Sequence, residues 1–272
     1  MAQIRFRLCK FPWALSLKMA LLMGLFLLLQ TPQGLLAQGI PRRWEAKQYR
    51  LPTGIGAPGR TTGGGTRGGG IRSDQTGNTS CPGVSGKPLA LVPSDRFGVT
   101  VAPYPTFFVY MPATSPQASP VEVEFELQDR SNQTLYQSTY KTSGKPGILT
   151  LSLPSQAGLP PLTIGQDYKW SFRIFCQPNE RSQYTIVDGW VRRVELNATL
   201  NNQLKQASPQ QQVELYAGAE IWQDALATLV QLRRNYPNDA AIAANWGRLL
   251  SSAGLNNIAK ESLAAIPTTT QD

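Results

Sequence analysis

A mainly β fold with an α-helical tail is predicted by two changes of period along the chain. Between residues 81 and 196, apolar side chains recur at every second position in short runs separated by Pro and Gly clusters. From Asn197 the spacing becomes helical and the composition turns to Ala, Leu and Gln. Short strands with regular turn signals and no helices between them specify an antiparallel β-sandwich, immunoglobulin-like in architecture. The helical segment reads as a short tetratricopeptide-like region. Four segments follow: 1–37, a leader; 38–80, a Gly/Arg-rich arm; 81–196, the sandwich; and 197–272, the helical tail.

In the leader, Arg5, Arg7, Lys10 and Lys18 precede an apolar run at 19–29. That run is shorter than the roughly 20 residues that cross a hydrocarbon layer, and Thr31-Pro32-Gln33-Gly34 follow it, so it reads as an export signal rather than an anchor. Cleavage is expected after Ala37, leaving no transmembrane anchor and a periplasmic or secreted chain. In the arm, nine of the seventeen residues at 54–70 are glycine, too little apolar surface to offset the chain entropy of ordering. Gly54-Ile55-Gly56-Ala57-Pro58-Gly59 matches the G-x-G-x-x-G pattern, yet no strand precedes it and no helix follows, so a dinucleotide site is disfavoured. The Gly-spaced Arg60 and Arg67 fit a solvated linker first and a contact with an anionic polymer second.

The sandwich is read from eight strands. Val121, Val123, Phe125 and Leu127 alternate with Glu122, Glu124 and Glu126, and Leu149, Leu151 and Leu153 alternate with Thr150 and Ser152. In the run at 168–176, Tyr168, Trp170, Phe172, Ile174 and Cys176 share one face, and Lys169, Ser171 and Arg173 the other. The remaining strands fall at 89–92, 99–101, 106–111, 134–140 and 185–196. In the tail, an offset of 34 pairs Tyr216 with Leu250, Ala219 with Ala253, Ile221 with Leu255, Ala225 with Ala259, Leu229 with Leu263 and Leu232 with Ile266. That offset is the tetratricopeptide period, and two repeats are too few to stand alone, so the pair is expected to cap the sandwich.

Composition excludes much. The formal charge of +9 is concentrated before residue 81; beyond it, fifteen Lys and Arg balance fifteen Asp and Glu. Specific nucleic-acid binding by a folded basic face is therefore disfavoured. The chain has no histidine, which removes Ser-His-Asp and Cys-His triads and most zinc sites. No Ser elbow, phosphate-cradling loop or metal-spaced cysteine pair is present, so no catalytic residue, metal ligand or cofactor is assigned. Once Cys9 leaves with the leader, Cys81 and Cys176 remain as one pair in an oxidising compartment. A disulfide would stabilise by roughly 4 to 5 kcal/mol in the chain-entropy picture, and the alternative is two free buried thiols.

The motifs Ala57-Pro58-Gly59-Arg60, Gly64-Gly65-Thr66-Arg67, Leu89-Ala90-Leu91-Val92-Pro93, Pro105-Thr106-Phe107-Phe108, Leu151-Ser152-Leu153-Pro154, Tyr168-Lys169-Trp170 and Gly189-Trp190-Val191 occur in order with Cys81. Trp222-Gln223-Asp224-Ala225-Leu226 and Leu232-Arg233-Arg234 follow. With this set the chain resembles a cyanobacterial family of exported proteins known as domain of unknown function nine-twenty-eight, from about residue 42 to 266. The resemblance implies an envelope location and carries over no activity and no site residues.

Three groups of side chains have both a bland and a functional reading. Glu122, Glu124 and Glu126 read first as a solvated edge-strand face whose like charges discourage pairing, then as a divalent-cation site, and last as a carboxylate pair for hydrolysis. Tyr216, Trp222, Trp246 and Tyr236 read as core, or as a groove for an extended peptide. Arg233 and Arg234 read as partners of a helix dipole, or as a clamp for an acidic ligand. The sequons at Asn78, Asn132 and Asn197 are chance matches in a bacterial host. The functional expectation is an exported, non-enzymatic interaction or adaptor module binding an envelope protein. A carbohydrate- or cell-wall-binding sandwich using Phe107, Phe108 or Tyr110 comes second, and a His-free carboxylate hydrolase third.

Overall fold

The computed structural model describes Cys81 and residues 84–114, 121–156, 158–177 and 180–269. The leader, the Gly/Arg arm and Asn78 lie outside the described residues. The fold is mainly β, with several sheets and a C-terminal helical region. Among the described residues, ten strands precede the helices: β1 (Val84–Ser85), β2 (Leu89–Ala90), β3 (Phe97–Thr100), β4 (Thr106–Met111), β5 (Ala113–Thr114), β6 (Val121–Gln128), β7 (Thr134–Thr142), β8 (Gly147–Ser152), β9 (Asp167–Gln177) and β10 (Glu180–Arg193). Helices α1 (Ala198–Gln206), α2 (Pro209–Gly218), α3 (Trp222–Asn235) and α4 (Ala240–Ser252) follow, then a 3₁₀ turn (Asn256–Ile258) and β11 (Thr268–Thr269). Among the described residues no helix is long and apolar enough to cross a membrane.

A six-stranded sheet runs β11-β7-β6-β9-β10-β3, a three-stranded sheet runs β2-β4-β8, and β1 pairs with β5. The expected all-antiparallel pattern fails at one edge: β3 lies parallel to β10, with Phe97 opposite Trp190 and Thr100 opposite Arg193. Val123, Phe125 and Leu127 of β6, with Trp170 and Phe172 of the adjacent β9, face Phe107, Val109 and Met111 of β4 and Leu149 and Leu151 of β8 in one core between the two sheets. Phe107 lies 5.0 Å from Phe125 and 5.2 Å from Trp170, ring centre to ring centre. Gly189 makes this packing possible, because a Cβ there would stand 2.9 Å from the Trp170 ring.

The helices do more than cap an end. Leu91, Phe108 and Ile148, on the other face of the three-stranded sheet, form a second core with Val213, Trp222, Leu226, Leu229, Trp246 and Leu249. The three-stranded sheet is therefore a middle layer, buried on both faces. This accounts for its continuous apolar runs, Leu89-Ala90-Leu91-Val92 and Phe107-Phe108-Val109, in place of alternation. Phe107 and Phe108 are fully buried, so the expectation that they bind glycan at the surface is overturned: each fills one of the two cores. Tyr110 is half-buried against the second core.

Local rules fix the helix boundaries. Asn197 accepts from the Leu200 amide, which puts its sequon asparagine to use as an N-cap. Ser208 and Gln211 form a reciprocal capping box ahead of α2 with Pro209 in the first turn, and Asp239 accepts from Ala241 and Ile242 to open α4. The 34-residue recurrence persists in the backbone. Ile221 donates to the Tyr216 carbonyl and Leu255 to the Leu250 carbonyl, both at 2.9 Å, while Glu220 and Gly254 turn at φ 59° and 77°. Beyond that turn the repeat is lost. Trp222 opens a 14-residue helix, whereas Asn256 opens a 3₁₀ turn of three residues, so the expected pairs Leu229/Leu263 and Leu232/Ile266 are not helical equivalents. The reason is a competing set of bonds. The tail leaves the helical layer and runs along the sheet edges, where Ile148 N–H donates to Ser262 at 2.8 Å and Ala264 N–H to Ile148 at 3.0 Å. Farther on, β11 pairs with Tyr140 and Lys141 of β7.

Candidate functional site

The acidic face of β6 is the first candidate, and its surroundings differ from the expectation. Strand β6 is not an edge: it lies between β7 and β9, and Glu124 and Glu126 are buried. Antiparallel register sets Glu124 opposite Arg173 and Glu126 opposite Ser171. Arg173 reaches both carboxylates, bonding Glu124 and, at 2.6 Å, Glu126. Arg181 bonds Glu122 at 2.5 Å and approaches Glu124 at 3.5 Å. The solvated edge-strand reading is thus corrected, since the like charges of β6 are bridged by arginines from β9 and β10. The guanidinium groups also stack, Arg181 5.0 Å from the Phe175 ring centre and Arg173 5.8 Å from that of Tyr184.

Electrostatics on this face favour the ionised states. Burial alone would raise Glu126, but hydrogen bonds from Thr134 and Gln128 and the Arg173 charge outweigh it and hold the carboxyl below its ordinary value. Asp167 behaves alike: burial opposes ionisation, yet Arg192 and Arg130 bond its two oxygens and lower it. Arg96 pairs with Asp188 at 2.8 Å on the same face. These last pairs escaped sequence reading because the partners are far apart in the chain and meet only through the fold. The carboxylates are neutralised by fixed cations, the opposite of the split protonation that hydrolysis by a carboxylate pair requires. Among the described residues no group of three or more metal-ligating side chains converges.

The second candidate is the seam between helices and sheets, where the predicted binding residues fall. Trp222 is buried and its indole N–H donates to the Leu91 carbonyl at 2.9 Å, pinning α3 to the end of β2. Trp246 is buried too and donates to the Ala259 carbonyl at 3.0 Å. Arg233 lies 4.4 Å from the Trp246 ring centre, and burial lowers its pKa. Its neighbour Arg234 donates to Thr150 of β8 at 2.9 Å. Tyr216 is half-buried beside the second core. The five therefore do not share one surface groove: the indoles belong to the core, and the arginines tie α3 to the middle sheet and the tail. Exposed apolar surface lies elsewhere, at Tyr236, Ile164 and Ile266.

Sequence reading did not single out Asp224. It stands in the first turn of α3, where its carboxylate accepts from Thr100 Oγ1 at 2.8 Å and Val101 N–H at 3.1 Å. Burial pushes it up to about 6, against the lowering effect of those bonds. Its position in the first helical turn was the available signal. Beside it, Gln223 is buried against Gly98 with neither amide atom bonded.

Cys81 and Cys176 form a disulfide with Cα atoms 5.0 Å apart, joining the chain ahead of β1 to β9. No curated protein matches the chain. The profile of one family, described as Domain of Unknown Function (DUF928), matches residues 62–263, three quarters of the sequence, and the chain belongs to that family.

Proposed function

We propose that this chain is an exported, non-enzymatic interaction module of a cyanobacterial cell envelope, located in the periplasm or secreted, that binds a protein partner. The observation that carries the proposal is the Cys81–Cys176 disulfide, since such bonds persist in oxidising compartments. It agrees with the leader pattern at 1–37. The non-enzymatic half rests on the absence of histidine from the sequence and on the arginine pairing of Glu122, Glu124 and Glu126. For the fold, the finer reading is an immunoglobulin-like architecture of the facing sheets and a tetratricopeptide-like arrangement of the helices. The backbone bonds repeated at an offset of 34 support the helical part.

Deleting residues 197–272 is a poor test, because it would strip one face of the middle sheet. A better one is crosslinking of the tagged chain in its native envelope, followed by mass spectrometry, beside a Tyr236→Ser variant that alters an exposed aromatic of the helical layer. The expected result is a discrete protein crosslinked within residues 198–258 and depleted in the variant. Recovery of glycan or wall fragments without a protein would overturn the proposal.

A further inference from the structure

Between β8 and β9 the fold holds an apolar ridge out to solvent. Residues 154–166 include no charged side chain. Within them Leu159 and Leu162 are buried in the first core, whereas Pro160, Pro161 and Ile164 are exposed, Ile164 by 48%. A single exposed apolar side chain is ordinary, but these three stand together on backbone that the body fixes from both sides. The Tyr104 hydroxyl donates to the Leu159 carbonyl at 3.1 Å. Leu162 donates its N–H to the Pro103 carbonyl at 2.9 Å, and its own carbonyl accepts from Arg193 Nη1 at 2.8 Å. Thr163 N–H donates to the Tyr168 hydroxyl at 2.9 Å and Gly165 N–H to the Arg193 carbonyl at 2.8 Å. Gly158 and Gly165 turn the chain at either end, with φ of 71° and 81°.

We infer that Pro160, Pro161 and Ile164 are a docking ridge for a protein partner that takes proline in an aromatic-lined groove. The chemistry of the segment selects that partner. Leu159 and Pro160 each precede a proline, which drives both toward extended backbone, and the two rings hold φ at about −65°. Residues 159–161 are therefore preset in the polyproline form, so little conformational entropy remains to be lost on binding. Neither proline has an N–H, and the ridge presents ring faces and carbonyl acceptors. Aromatic faces with an indole or phenol donor match both. An anionic polymer or lipid headgroup finds no charge to pair with on residues 154–166. The inference rests on the reading that the chain binds a protein, and adds a contact outside the helices.

The test places a benzophenone amino acid at Thr163, an exposed neighbour of the ridge, and in a separate chain at Tyr236, each irradiated in the native envelope. At Thr163 the expected result is a discrete protein joined through a peptide that contains Trp, Tyr or Phe. Its yield should fall about tenfold in a chain that also carries Pro160→Ala and Pro161→Ala. Both rings are exposed, so the melting midpoint of that chain should move by no more than a few degrees. Ile164→Ser, which leaves both prolines, should lower the yield as well. A protein adduct at Tyr236 with none at Thr163 would overturn the ridge and leave the adaptor reading standing. Absence of a protein adduct at both positions overturns both. Thr163 adducts of lipid or glycan alone, or a protein adduct that the proline substitutions leave unchanged, would also overturn the inference.

Discussion

Asp224 and Arg173 are opposite cases of a charged group placed against a sheet. Asp224 has only neutral donors around it, and its folded pKa, about 6, stands above the ordinary 3.8. Its ionisation therefore opposes folding. The contribution is most favourable below about pH 4 and is lost as pH rises to about 6, by up to about 3 kcal/mol. Asp224→Asn should keep the acceptor for Thr100 and Val101 and flatten that part of the profile, read from urea midpoints between pH 4 and 6. An unchanged slope would show that the carboxylate does not titrate there. Glu126 has the opposite sign, because its folded value is depressed. Its stabilisation is present above the ordinary 4.5 and is lost as pH falls through the depressed value. Arg173→Met should thus destabilise by about 2 to 3 kcal/mol at neutral pH, less than for a fully buried pair, and by less in acid. Equal loss at pH 7 and pH 3 would assign the effect to packing. The alternation of Glu122, Glu124 and Glu126 was legible in the sequence, but their partners were not, since Arg173 and Arg181 lie on strands whose register no local pattern specifies.

At the scale of elements, the strand positions and the change to helix after Asn197 followed from period. The run at 106–111 was read with the bounds of β4, and the runs at 121–127 and 168–176 differ from β6 and β9 only at their ends. What local pattern lacked was neighbour order. The parallel β3–β10 pair depends on where a four-residue strand returns to the sheet, and the two-residue strands β1, β5 and β11 are too short to carry a period. The loss of the second repeat after Gly254 came from backbone bonds that the sheet edges offer to residues 262–269. Gly147 permits that course, because a Cβ there would lie 2.9 Å from the Ser262 carbonyl oxygen at a φ of +151°. Gly147→Ala should release the tail, destabilising by about 1 to 3 kcal/mol, with amides of Ile148 and Ala264 losing hydrogen-exchange protection first. Retained protection there would contradict the stitching role.

Across the whole molecule, two cores share one sheet, and this binds the helices to the strands. Trp222 is the clearest link, buried in the second core and bonded to the end of β2. Trp222→Ala should cost about 3 to 5 kcal/mol, seen as a fall in the midpoint for strand and helix signals alike. The disulfide acts on the same body from the other side of the first core. Replacing both Cys81 and Cys176 by serine should remove about 2 to 5 kcal/mol without moving either core. Sequence reading placed the helices as an end cap because it weighed each segment by its own period. The unbroken apolar runs of β2 and β4 were the sign that a third layer covers them. Urea unfolding followed by hydrogen exchange resolved to peptides tests this arrangement most directly. The three-layer account predicts that amides of α3 and β4 lose protection together at one denaturant concentration. Early loss in α3, with β4 still protected, would show that the helices are an independent domain.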